Sequence, residues 1–134
     1  MRSQNVVLIV GDDPYVRRVI FAALSQMGCS AVEASNGHEG VERANSTRFD
    51  LAIVDRCLTD VLGNDIVPQL RLNQPDLKVL SLAPRERGSF GDRCSALRHA
   101  DAYLDKPFAL DDLCRAVARC LYTGFTRGTV VSAN

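Results

Sequence analysis

The sequence has no apolar stretch near 18 residues and no leader-like segment, so it predicts neither a membrane-spanning helix nor a secreted chain. The expectation is a cytoplasmic protein. It has no net charge either: sixteen basic side chains cancel sixteen acidic ones, and no global field draws nucleic acid or an anionic membrane. Five cysteines (Cys29, Cys57, Cys94, Cys114, Cys120) include no CxxC pair and leave one odd, which argues for reduced thiols used as small hydrophobes. Only His38 and His99 could add imidazole, too few for a convincing zinc site. There is no GxxxxGK[ST] and no GxGxxG, so nucleotide binding lacks support. Repeats and low-complexity segments are absent as well. Lysine is scarce, with only Lys78 and Lys106 against fourteen arginines. A chain that defaults to arginine but writes lysine at 106 marks a place for a compact point charge.

What is present is a chain of 134 residues, 46% hydrophobic and 24% charged, enough for one domain with a proper core. Short apolar runs end in polar clusters. Val6-Val7-Leu8-Ile9-Val10 leads into Gly11-Asp12-Asp13, Leu51-Ala52-Ile53-Val54 closes on Asp55, and Ala102-Tyr103-Leu104 leads through Asp105 to Lys106-Pro107. Such runs suit buried parallel strands. Between the first two, Asp13 can cap a helix that opens on Pro14, carries Val16, Val19, Ile20, Ala23, Leu24 and Met27 on one face, and stops at Gly28. A strand is predicted at 30–34, then an Asn36-Gly37 turn and a helix over 38–45. The third helix is expected over 64–73, the fourth strand over 79–82, a loop over 84–91 and a weakly marked helix over 92–99. A last helix over 110–122 should bury Leu110, Leu113, Val117, Cys120 and Leu121. Residues 123–134 carry no periodicity. Strands alternating with helices imply an α/β fold, a parallel sheet with helices on both faces.

Carboxylates and an ammonium at strand C-terminal ends make a site, because open α/β sheets bind ligands there. Taken together, Ile9-Val10-Gly11-Asp12-Asp13-Pro14, Asp50 to Asp55, Gly63, Pro75 to Leu80, and Tyr103-Leu104-Asp105-Lys106-Pro107-Phe108 resemble the receiver domain of two-component response regulators. The resemblance covers residues 5–122 as the receiver domain and leaves 123–134 as a C-terminal tail. It implies a flavodoxin-like, doubly wound, five-stranded parallel sheet of order 2-1-3-4-5. It also implies a role for each residue. Asp55 is the phosphoacceptor, a carboxylate nucleophile that becomes an acyl phosphate. Asp12, Asp55 and the backbone carbonyl of Cys57 are ligands for Mg²⁺, a hard cation that prefers oxygen. Lys106 neutralises charge on the phosphoryl oxygens. Ala83 and Tyr103 occupy the switch positions. The implied partners are a sensor histidine kinase or phosphotransfer protein, and a downstream protein on the face of the predicted 92–99 helix, the fifth strand and the last helix. Neither nucleic acid nor membrane is expected to bind this chain directly.

Two positions depart from the family pattern. Counting from Arg17 and from Asp55 puts the first acid of the family's pair at Gly11 and the second at Asp12. Asp13 then either reaches in to replace the missing carboxylate or serves as a helix N-cap. At the end of the fourth strand Ala83 stands where a Thr or Ser hydroxyl normally holds the phosphoryl group. Ala83 has no donor, and losing such a hydrogen bond forgoes roughly 1.5–3 kcal/mol of bias toward the active state. Ser81 is on the same strand face but one rung deeper. Pro84 stiffens the loop. A phosphorylation-independent interaction module is therefore the alternative to a phosphoacceptor switch. Catalysis on an external substrate is not expected, since Cys57 stands where related aspartate-dependent phosphatases need a second Asp. Nothing in residues 123–134 could form an output domain, so the expectation is a stand-alone protein or a receiver cut from a longer one.

Overall fold

Strand β1 (Val6–Val10) sends Val7 and Ile9 to one face and Leu8 and Val10 to the other, and both faces are buried. Covering both sides of one extended segment is what makes an unbroken apolar run a central parallel strand. The computed structural model describes residues 4–55, 63–84, 100–122 and 129–131. After β1 come α1 (Pro14–Gln26), β2 (Ser30–Ala34), α2 (Gly37–Ser46), β3 (Leu51–Asp55), α3 (Gly63–Leu70), β4 (Lys78–Pro84), β5 (Ala102–Lys106), α4 (Leu110–Tyr122) and β6 (Thr129–Val131). All pairings are parallel, in the order β2-β1-β3-β4-β5-β6. One core layer packs Ile20, Ala23 and Leu24 of α1 and Leu113, Ala116, Val117 and Cys120 of α4 against the sheet. The other packs Ala44 of α2 and Ile66, Val67 and Leu70 of α3. Side chains such as Leu8 and Ile53 are fully buried, each worth about 1.5–3 kcal/mol of transfer free energy. No helix among the described residues is long and apolar enough to cross a membrane.

The order 2-1-3-4-5 is as expected. The sheet nevertheless has six strands rather than five, because Thr129–Val131 pairs with Ala102–Leu104 along the outer edge of β5. Three residues are too few for periodicity to register, and the partner lies far away in sequence. Helix α1 matches its signals. Asp13 Oδ1 accepts from Tyr15 N at 2.9 Å and Val16 N at 3.4 Å, and Gly28 takes the left-handed φ of 81° that a chain leaving a helix needs. Asn36-Gly37 is more than a turn. Asn36 Oδ1 accepts from Glu39 N at 2.8 Å and caps α2, which begins at Gly37. Glu39 Oε1 in turn accepts from Ser35 N at 2.7 Å and Ser35 Oγ at 2.8 Å, and these bonds hold its carboxyl below the ordinary value.

Helix α3 ends at Leu70, three residues earlier than expected, and holds Pro68 inside it. The next residue, Arg71, leaves the helix to serve the sheet. Its Nε donates to Leu77 O at 2.9 Å and its Nη2 to Asp101 Oδ2 at 2.6 Å. Asp101, 4% exposed, also accepts from Val79 N at 2.8 Å. Gln74 closes the same end of the sheet, donating to Ala44 O and Thr47 O and accepting from Phe49 N. Strand β4 runs on to Pro84 and β5 to Lys106, both longer than expected. In α4, Leu113, Val117 and Cys120 are buried as predicted and Leu121 is partly buried, but Leu110 is 52% exposed because it opens the helix on the solvent side. The helix expected over 92–99 and the loop over 85–91 lie outside the described residues.

Cys29, Cys114 and Cys120 are free cysteines. Burial pushes the Cys120 thiol from its ordinary 9.0 to about 12, and the nearby Asp101 adds to the rise. Cys57 and Cys94 are outside the described residues.

Candidate functional site

Three strands deliver one polar cluster. In the β1–β3 ladder Val10 stands opposite Val54, so Gly11 leaves β1 beside Asp55, the last residue of β3. A Cβ placed on Gly11 would lie 3.6 Å from the Asp55 Cβ. Asp12 follows at once and is exposed. From the other side, Lys106 ends β5 and reaches across β4: its Nζ donates to Asp55 Oδ2 at 2.8 Å. The side chains of both partners are more than two-thirds shielded, so this is a sheltered ion pair rather than a surface one. The Lys106-Pro107 peptide is cis.

The other expected site residues are placed as follows. Asp13 has its Oδ1 committed to the first amides of α1, the capping alternative of the two held open. Cys57 lies outside the described residues. Ala83, 4% exposed, pairs with Asp105 on β5 and presents only a methyl group. Tyr103 is half-buried against the α2–α3 core layer. Ser81 stands opposite Val54 and Tyr103, one rung below Ala83. It is fully buried, and its Oγ has no hydrogen-bond partner among the described residues. Among the described residues no group of three or more His, Cys, Asp or Glu could hold a metal.

An orphaned buried hydroxyl costs about 1–3 kcal/mol of stability, so Ser81→Ala should stabilise the fold by about 1 kcal/mol. That is a rise in melting temperature of roughly 3–5 °C. A lower melting temperature would mean that Ser81 Oγ is satisfied.

One part of the site was not legible in the sequence. Arg17, on the first turn of α1, donates from Nη1 to Gly11 O at 2.6 Å and from Nε to Glu33 Oε1 at 3.0 Å. In the sequence Arg17 marks only a position to count from, and Glu33 carries no signal. It is brought there by the β1–β2 register, which sets it opposite Ile9.

A carboxylate, a lysine and a second carboxylate gathered at strand C-terminal ends are the groups that the sequence resemblance anticipates there. The model of the response regulator receiver domain matches residues 7–118. The chain belongs to that family. The receiver is 36% identical over 108 residues to the response regulator MprA of Mycolicibacterium vanbaalenii, an alignment covering 80% of this chain and 46% of that protein. It thus spans about half the length of the curated relatives it matches. Among solved structures it is similar to the chemotaxis response regulator CheY4 of Vibrio cholerae, with TM-score 0.76, 25% identity, and coverage of 89% of this chain and 100% of that one. It is also similar to the response regulator TrrA of Thermotoga maritima, solved in complex with Mg²⁺-BeF, with TM-score 0.74, 26% identity, and coverage of 88% and 100%. Receivers are signalling domains, and the order 2-1-3-4-5 of the first five strands matches these CheY-like neighbours.

Proposed function

We propose that this receiver accepts a phosphoryl group on Asp55 from a histidine kinase or phosphotransfer protein and acts as a signalling switch with altered activation. The observation that carries the reading is the 2.8 Å bond from Lys106 Nζ to Asp55 Oδ2 in a chain of this family. An Asp55 carboxylate oxygen attacks phosphorus, and the bond from phosphorus to the donor's nitrogen breaks as the aspartyl phosphate forms. The released imidazole takes up a proton. The Lys106 ammonium is placed to follow the negative charge from the carboxylate to the phosphoryl oxygens.

The donor set fits a hard cation. Mg²⁺ commonly takes only one or two protein carboxylates and completes its shell with water and phosphate. Asp12 and Asp55 are the two, and the Cys57 carbonyl is the proposed third ligand. Asp13, already capping α1, is not needed. When bound, the ion neutralises charge on the phosphoryl oxygens. The receiver catalyses at most its own phosphorylation and dephosphorylation. We assign residues 5–122 to the receiver unit and 123–134 to a tail, and we place the protein in the cytoplasm. A downstream protein would bind the face that includes β5 and α4.

Gly11 and Ala83 support a second reading, an interaction module that works without phosphorylation. One experiment separates the two. The protein is incubated with Mg²⁺ and a small phosphodonor such as acetyl phosphate, and its intact mass is measured. One added phosphoryl group, absent from Asp55→Ala and when Mg²⁺ is chelated, is the expected result. No added mass on the unmutated protein would leave the interaction module as the function.

A further inference from the structure

We infer that the Arg17–Glu33 pair is a positioning device for Asp12, and that this receiver depends on it because position 11 is glycine. The inference rests on the reading that Asp12 and Asp55 hold Mg²⁺. A glycine at the end of β1 leaves the backbone that presents Asp12 with more conformational freedom than any other residue would. Its φ is not in the left-handed region, so glycine is not there to satisfy a turn. Two hydrogen bonds supply the missing restraint. Gly11 N donates to Ala34 O at 3.1 Å, tying the strand end to β2. Arg17 Nη1 donates to Gly11 O at 2.6 Å, tying it to α1. The Arg17 side chain is 15% exposed, and Glu33 on β2 fixes the guanidinium's direction through Nε at 3.0 Å. The carbonyl held by Arg17 is in the peptide unit that joins Gly11 to Asp12. Any rotation there swings the Asp12 carboxylate.

Charge and position make opposite predictions, which makes the idea testable. Arg17 is a cation close to the site, so its removal should tighten cation binding if electrostatics alone mattered. If Arg17 positions Asp12, removal should weaken binding. The test is calorimetric titration of the whole chain with MgCl₂, with the fold of each variant checked by circular dichroism. Arg17→Met combined with Glu33→Gln keeps the net charge unchanged and deletes the restraint. Its affinity is expected to fall about three- to tenfold, the effect of leaving one ligand side chain to be ordered on binding. Adding Gly11→Ala to that variant should recover at least half of the loss. The new Cβ meets Asp55 Cβ at 3.6 Å and Arg17 Cγ at 3.9 Å in the unmutated chain, both ordinary contacts. Alanine restores stiffness without charge.

Affinity of the double variant within twofold of the unmutated chain, or a loss that Gly11→Ala fails to repair, would overturn the inference. Should the double variant not fold, Glu33→Gln alone, altering a partly exposed β2 residue, is expected to weaken binding about twofold, with the loss again repaired by Gly11→Ala. A loss that persists with alanine would then be electrostatic and would overturn the positioning role. No binding of Mg²⁺ by the unmutated chain would overturn the magnesium reading along with it.

Discussion

Asp101→Ala is expected to lower the free energy of unfolding by about 3–5 kcal/mol, the usual cost of removing one partner of a buried ion pair. Asp101 is 4% exposed, and its Oδ2 accepts from both Arg71 Nη2 at 2.6 Å and Val79 N at 2.8 Å. Alanine would leave a guanidinium whose side chain is only 12% exposed without its counter-charge, and a β4 amide without its acceptor. The guanidinium would keep its bond to Leu77 O but lose its buried charge partner, and the Val79 amide would lose the acceptor given by Asp101. Urea unfolding should show a lower midpoint at unchanged slope. A loss under 1 kcal/mol would contradict the role assigned to this clamp. The clamp lies just before β5, whereas Lys106 is its last residue, so phosphoacceptor chemistry per folded molecule should be unaffected.

Gly11→Asp is expected to raise Mg²⁺ affinity about tenfold. A carboxylate about 6 Å from a divalent cation in a water-like medium is worth roughly 1.4 kcal/mol, or one factor of ten. Space permits it, because the first atom of the new side chain meets Asp55 Cβ at 3.6 Å, an ordinary contact. Calorimetric titration with MgCl₂ would measure the change, and the rate of phosphorylation at limiting Mg²⁺ should rise with it. The nearby Arg17 would take part of the gain if it turned from Gly11 O to the new carboxylate. Affinity equal to or below that of the unmutated chain would show that Gly11 is not what limits the metal site.

Much of this architecture is written locally. The apolar run Val6–Val10, the Asp13-Pro14 start and the Gly28 stop each encode their element through interactions within a few residues. The sheet order followed from the family resemblance, as did the placing of Lys106 at the site of Asp55. What the sequence did not disclose depends on partners distant in the chain. Glu33 reaches Arg17 only because β2 lies beside β1 in one particular register. Arg71 ends α3 early for Asp101, thirty positions later. Thr129–Val131 becomes a strand because β5 offers it an edge. Leu110 differs for another reason: it fits the apolar period of α4 but is the first residue of the helix and lies on its solvent side, whereas Leu113 of the same turn is buried. The departures at Gly11 and Ala83 were visible as letters. Their surroundings needed structure: Arg17 grips the Gly11 carbonyl, and below Ala83 the Ser81 hydroxyl is buried with no partner among the described residues.

The central claim is that Asp55, and no other carboxylate, takes the phosphoryl group. It is tested most directly by treating the phosphodonor-incubated protein with borohydride, which reduces an aspartyl phosphate to homoserine, and mapping the product by peptide mass. The expected result is homoserine at position 55 alone, dependent on Mg²⁺ and greatly diminished in Lys106→Ala. Unmodified Asp55, or homoserine at Asp12 or Asp13 instead, would contradict it.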